Sequence, residues 1–234
     1  MVFERVRKLK VAEQVVGAIR DAIIRGHYKE GDPLPSEREL ASQFGVNRSS
    51  IREAMLRLET WGLVHIRQGG ATRVRDALQG AGLHVLPYLV APGNRLDASL
   101  LGDILSIRVM FLAWTAEQAA ARATPDDVAA LEALLASLRG AADAERIQAI
   151  DFEFFERLVA VGRNRVLTLF TNVLREIYGN NGEHLLFLYA QSPFDFSLHE
   201  QAVAAIAAGD TAGAAAAMRA YGERGQKAHR SHDE

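Results

Sequence analysis

Arg48, Ser49, Ser50 and Arg52 open a helical stretch directly after Gly45-Val46-Asn47. Small hydroxyl side chains let a helix end approach base edges, and arginines reach guanine or phosphate. That is chemistry of recognition, not of catalysis. The sequence has no Gly-x-Ser-x-Gly elbow, no His-Glu-x-x-His, no Gly-Lys-Ser/Thr phosphate loop and no Gly-x-Gly-x-x-Gly after a strand. Glu153 and Glu156 have the spacing of an ordinary solvated helix face. With zero cysteines, thiol-ligated zinc and a disulfide scaffold are excluded, and a reducing cytoplasm is expected. Neither a secretory leader nor a membrane span is expected, because charges recur from Glu4 to Lys10 and no apolar run has the length.

The elements that must hold this cluster are legible around it. Val15, Val16, Ile19, Ile23 and Ile24 fall at helical spacing within 11–25, and Gly26 and Gly31-Asp32-Pro33 end that helix. Ser36 caps a second helix, with Glu39 completing a capping box, and Leu40, Ala41 and Phe44 are its expected inner stripe. Gly45 supplies the turn. Asn47 caps a third helix in which Ile51, Ala54, Met55 and Leu58 face the core. That orientation leaves Arg48, Ser49, Ser50 and Arg52 at the exposed start.

After Trp61-Gly62, Val64–Gln68 and Ala71–Arg75 read as two strands, with Gly69-Gly70 as a two-residue primed turn. Arg67, Gln68, Arg73 and Arg75 make this hairpin basic. Three helices and such a hairpin form a winged helix-turn-helix whose tip could enter a minor groove. Residues 1–75 carry 14 Lys/Arg against 9 Asp/Glu, whereas the rest carries 13 against 20, so the net charge of -2 conceals a basic head on an acidic body. Only the head suits a polyanion.

Leu34-Pro-Ser-Glu-Arg-Glu-Leu-Ala41, then Gly45-Val-Asn-Arg-Ser-Ser-Ile-Arg-Glu-Ala54 and the Gly-Gly wing resemble the GntR superfamily of bacterial transcription regulators over about 65 residues. The resemblance implies DNA contacts at Arg38, Asn47, Arg48, Ser49, Ser50 and Arg52, with Gln68 and Gly69 at the wing tip. It also implies a homodimer on a palindromic operator.

From residue 82 onward no strand alternation appears. Helices are expected at roughly 97–122, 126–139, 145–160, 165–189, 194–208 and 211–229, an all-α bundle. Thr124-Pro125-Asp126-Asp127 is a strong helix start and Gly209-Asp210 a stop followed by a cap. The expected architecture is mainly α: a winged helix in 1–76, a linker and connecting helix in 77–96, and a bundle in 97–234.

Ile107-Arg108, Ala119–Thr124, Asp151, Asn164, His199, Ala205–Asp210 and Met218–Tyr221 resemble the FCD effector domain of the FadR subfamily. Most members of that domain bind a divalent metal through an Asp, a His four residues later and two further His. Here Asp151 and His199 fit, but Phe155 and Tyr221 stand at the other two positions and a metal is not expected. Within the subfamily the pattern is nearest the acyl-CoA-responsive regulators of fatty acid metabolism. The resemblance therefore implies a repressor-type protein that binds a small effector, a fatty acyl-CoA or else, in a regulator of a catabolic operon, a small carboxylate with or without the help of a metal, through Arg108, Asp151, Phe155, Tyr178, His199, Tyr221 and Gly222. Phe152, Phe155, Leu158, Phe170 and Tyr178 are the expected apolar interior. No catalysis and no cofactor are implied.

Overall fold

The computed structural model describes residues 9–67, 69–190 and 194–233. The chain divides into two compact units, Met1–Arg95 and Leu96–Glu234. Gln68, expected at the wing tip, lies outside the described residues.

The first unit contains α1 (Leu9–Ile24), α2 (Glu37–Phe44), α3 (Arg48–Thr60) and a hairpin of β1 (Val64–His65) and β2 (Arg73–Val74). Its core joins Val15, Val16, Ile19 and Ile23 of α1 to Leu40, Ile51, Ala54, Met55, Leu58 and Val64. The capping box forms at Ser36 and Glu39, and Gly45 closes α2 in the left-handed region at φ 64°. Phe44 is 38% exposed, however, and does not join the inner stripe. It is the last residue of α2, and the left-handed turn at Gly45 sends Val46 toward the core in its place.

The hairpin differs from expectation. Its register pairs Val64 with Val74 and His65 with Arg73, so each strand is two residues long. The turn is not centred on Gly69-Gly70: the Gly70 amide donates to Arg67 O at 3.2 Å, which places Gly69, at φ 70°, at the second central position. Strand β2 is also flanked by the segment after α1, since the Val74 amide donates to Asp32 O at 3.0 Å and the Leu34 amide to Thr72 O at 2.9 Å. The Gly31-Asp32-Pro33 stretch thus braces the wing as well as ending a helix.

Residues 77–95 pack on this unit. They include α4 (Ala77–Gly80), a 3-10 turn over Leu83–Val85 and α5 (Leu86–Leu89). Val85 is buried in the N-terminal core, Tyr88 stacks on Trp61 with ring centroids 6.3 Å apart, and the Arg20 guanidinium lies 3.5 Å over the Tyr88 ring.

The second unit is helical: α6 (Ala98–Ala120), α7 (Pro125–Arg139), α8 (Ala144–Gly162), α9 (Arg165–Asn181), a 3-10 segment over Glu183–Tyr189, α10 (Ser197–Ala208) and α11 (Thr211–Asp233). Helix α6 is apolar and long enough to cross a membrane by length and composition, but nine of its residues are buried in this bundle, Leu101, Leu105, Val109 and Leu112 among them. Gly222 of α11 permits the closest approach to it, because a Cβ there would lie 3.0 Å from Val109 Cα. One expected helix is broken. Residues 165–189 do not form a single rod, because Gly179-Asn-Asn-Gly182 is a run of poor helix formers. The Gln148 amide caps the break by donating to Gly182 O at 3.1 Å.

Candidate functional site

Two sites emerge, one in each unit. In the first, Asn47 Oδ1 accepts from the Ser50 amide at 2.8 Å, so the side chain ends the helix rather than facing away from it. Ser49 Oγ donates to the same oxygen at 2.7 Å. Arg38, Arg48 and Arg52 are exposed, and neither Arg48 nor Arg52 forms an ion pair among the described residues. Cationic heads on the first turn of α3 with no ion-pair partner among the described residues are available to an anionic ligand. Arg57, farther along, is instead tied to Glu13 at 3.8 Å and Glu53 at 3.6 Å. Glu59 fixes the wing to α3: its Oε1 accepts from the Ile66 amide at 2.7 Å and lies 3.5 Å from His65 Nδ1. Gly69 sits exposed at the turn of the wing.

The second site is a buried polar cluster. Asp151 Oδ1 accepts from His199 Nε2 at 2.9 Å. Asp151 Oδ2 accepts from the Tyr189 hydroxyl at 2.9 Å and from Arg108 at 3.3 Å. The Tyr178 and Tyr189 hydroxyls are 3.4 Å apart, and the Tyr221 ring packs edge-on against His199 at 4.3 Å between centroids. Burial alone would push the Asp151 carboxyl up, but the His199 hydrogen bond and charge, then Arg108 and Tyr221, outweigh it and hold the group below its ordinary value. Burial, reinforced by the Asp151 carboxylate, raises the Tyr189 and Tyr221 hydroxyls well above theirs, so both remain donors. Burial would also favour deprotonation of Arg108, but the three tyrosines and Asp151 outweigh it and keep the guanidinium charged.

This donor set does not fit a divalent metal. Besides Asp151 it offers one imidazole, whose Nε2 proton is committed to the carboxylate, and Arg108 already neutralises that carboxylate. Phe155 supplies no lone pair. The Tyr221 hydroxyl is held in its protonated form, and no group of three or more His, Asp or Glu suited to a metal occurs among the described residues.

Arg108 forms a wall between two cavities. The larger, about 30 Å³, is lined by Leu101, Ile104, Leu105, Phe111, Phe152, Phe155, Leu174, Ile177, Tyr178, Leu185 and Leu188 besides Arg108 and Asp151. The smaller, about 10 Å³, is lined by Arg108, Tyr189, Phe194, Tyr221 and Arg224 with Leu188, Gly225 and Ala228. Of the expected effector residues, Arg108, Asp151, Phe155 and Tyr178 meet at the first cavity and Tyr221 at the second. His199 lines neither cavity; it hydrogen-bonds Asp151 and packs against the Tyr221 ring. Gly222 is occupied by the crossing of α6 and α11. Phe170 is 36% exposed and Leu158 is fully buried away from the cavity, so neither contributes to its wall. Tyr189 was not expected. It lies 38 residues from Asp151, and only the 3-10 segment brings it there.

Comparison with known proteins follows these two sites closely. Residues 11–74 match the gntR family of bacterial regulatory proteins, and residues 103–224 match the FCD domain. The chain belongs to the GntR family. An HTH-type transcriptional regulator of Mycobacterium tuberculosis, itself described as uncharacterized, is 34% identical over 220 residues, covering 94% of this chain and 90% of that protein. The fatty acid metabolism regulator protein of Pasteurella multocida is 32% identical over 183 residues, covering 76% and 73%. The solved structure of Lar, which controls expression of the Listeria monocytogenes agr system, covers 97% of this chain and 99% of its own, with a TM-score of 0.58 at 15% identity, a likeness of fold. This GntR-family protein is accordingly a transcription regulator with an FCD effector-binding domain, not an enzyme.

Proposed function

We propose that this regulator binds a palindromic operator through α3 and the wing, and that a fatty acyl-CoA entering the α-helical unit controls that binding. Arg48, Ser49, Ser50 and Arg52 are assigned to the major groove, Arg38 to phosphate and Gly69, with Gln68, to the wing contact. The observation that carries the effector reading is the apolar cavity walled by Arg108. Its walls suit a hydrocarbon chain, whose burial gains about 0.8 kcal/mol per CH₂, while a buried guanidinium at its edge suits an oxyanion or thioester oxygen. A relative named for fatty acid metabolism supports the same ligand class. Effector binding would act by favouring one of two conformations with different operator affinity.

One observation favours a smaller ligand. At about 30 Å³ the cavity has room for only one or two waters, so a long chain enters only if α9 or the 3-10 segment moves outward. A short-chain carboxylate anchored on Arg108 would need less movement. Thermal shift against acyl-CoAs of increasing length, free fatty acids and small carboxylates tests both readings, because a ligand selective for the folded state raises its melting temperature. A response that grows with chain length and needs the CoA moiety supports acyl-CoA. A response confined to short carboxylates overturns it.

A further inference from the structure

Among the described arginines of the wing, Arg67 is left untied. Arg73 donates to Gly31 O at 2.5 Å. The Arg75 side chain lies along Gly80, its Nε 3.3 Å from where a Cβ on that glycine would stand. The Arg67 side chain is exposed and has neither an ion pair nor a hydrogen bond among the described residues. It opens the wing turn, since its carbonyl accepts from the Gly70 amide at 3.2 Å. A Cβ on Gly70 would sit 3.2 Å from Arg67 Cβ, so the bare glycine lets this side chain lie against the turn.

We propose that Arg67 takes a DNA phosphate beside the groove that the wing enters, and that Glu59 is the positioning residue that aims it. The proposal rests on the operator reading above. Phosphate is favoured over a base edge by where Arg67 stands. It lies at the base of the turn, and the exposed Gly69 is nearer the tip. When a side-chain-free tip enters a groove, the residues behind it face the phosphates that rim it. The role of Glu59 follows from the shortness of the hairpin. The ladder pairs only Val64 with Val74 and His65 with Arg73, and such a ladder is marginal by itself. The next pair would be Ile66 and Thr72, but the Thr72 carbonyl accepts from the Leu34 amide at 2.9 Å. Glu59 Oε1 takes the Ile66 amide instead, at 2.7 Å. Side chains along this strand alternate: Val64 is buried, His65 exposed, Ile66 half-buried and Arg67 exposed. A slip of one residue would turn Ile66 outward and Arg67 inward. The carboxylate at Ile66 holds the register at the point where the ladder ends, and Arg67 is the next residue.

The test is fluorescence anisotropy of the full chain over a salt series. The probes are a palindromic duplex enriched by the wild type from a randomised pool, and a scrambled duplex. Arg67→Ala should weaken both duplexes alike, by about fivefold or more, and lower the salt slope by about 0.9 for each wing that touches DNA. Unchanged binding would remove Arg67 from the interface. A loss confined to the selected duplex, with the slope unchanged, would make it a base contact and overturn the phosphate assignment. Glu59→Ala separates aiming from charge. Deleting an acid close to DNA should by itself tighten binding, whereas loss of the register should weaken it to about the level of Arg67→Ala. Glu59→Gln keeps an acceptor for the Ile66 amide and should bind at least as well as wild type. Adding Glu59→Ala to Arg67→Ala should cause no further loss. Tighter binding in Glu59→Ala, or losses that add in the double variant, would overturn the positioning role. If Glu59→Ala does not fold, Glu59→Asp, one methylene too short for the Ile66 amide, takes its place. Arg48→Ala is the control on the operator reading: a loss there with Arg67→Ala unchanged sinks this proposal alone, and a loss in neither sinks both.

Discussion

The Arg108 guanidinium lies 3.3 Å from Asp151 Oδ2 in an ion pair whose side chains are only 12% and 4% exposed. Such a pair contributes little net stability when whole, because desolvation of both charges offsets their attraction. Breaking it is different. Asp151→Asn would leave Arg108 buried without a counter-charge, and either His199 Nε2 or the Tyr189 hydroxyl would face an amide NH₂ in place of an acceptor oxygen. Chemical denaturation should show a loss of about 3–5 kcal/mol. An Arg108→Met, Asp151→Leu double variant should lose clearly less than the sum of the single variants. A loss below 1 kcal/mol for Asp151→Asn would show that the cluster is solvated.

The same carboxyl sets a pH dependence. Its value in the folded chain is depressed, so its stabilising contribution is fully present above the unfolded carboxylate value of about 3.9 and is lost as pH falls through the lower folded value. Asp151→Asn should therefore flatten the stability profile on the acid side. Thermal melts from pH 6 down to pH 3 should show the wild type losing more than the variant.

Gly62 is the strictest backbone position in the first unit. It adopts φ +75°, and a Cβ there would lie 1.9 Å from Gly80 O. Gly62→Ala combines left-handed strain with a backbone clash and should cost more than about 2 kcal/mol. Gly45→Ala has the same sign of φ but open space around it and should cost less. Comparing their melting temperatures checks the distinction.

How far these features could be read in advance depended on whether the determinants were local. The caps at Ser36, Asn47 and Thr124 and the helical rows of α1 and α3 rest on contacts within four residues, so sequence spacing was enough. The break at Gly182 was carried by a local Gly-Asn-Asn-Gly run, but strong apolar periodicity on both sides masked it. Tyr189 carried no such signal, because its role depends on a 3-10 segment returning to Asp151. Gly222 is a ligand contact only by the resemblance of Arg219-Ala-Tyr-Gly222 to the family pattern. Helix α6, more than a hundred residues earlier, is what requires it to be small.

On DNA, Arg48→Ala should weaken operator binding by about 1–3 kcal/mol and relax base preference. Arg38→Ala should weaken binding more evenly across sequences. Fluorescence anisotropy against operator and scrambled duplexes separates the two effects. Equal operator and random affinities in wild type and Arg48→Ala would show that another face of α3 reads the bases.

On metal, Arg108 neutralises Asp151 where a divalent ion would have to bind, so elemental analysis should find no stoichiometric zinc, nickel or manganese. EDTA should leave the melting temperature unchanged. One tightly held equivalent would require ligands outside this cluster, with His184 the first to replace.

On the effector, the decisive variant fills the cavity without touching its charge. Leu174 is half-buried and lines the same cavity as Arg108 and Asp151, so Leu174→Trp should occupy the space a ligand chain would take. Titrating long-chain acyl-CoA into the protein–operator complex should release DNA from the wild type at micromolar ligand. Release should shift at least tenfold upward in Leu174→Trp, while operator affinity without ligand stays unchanged. Arg108→Gln should also lose the response, but it destabilises the cluster as well, so its loss counts only where helicity and operator binding persist. If saturating acyl-CoA changes neither DNA binding nor melting temperature, the acyl-CoA reading is eliminated. If acetate- or butyrate-sized carboxylates produce release that depends on Arg108 but not on Leu174, the anchor is correct and the ligand is the smaller one.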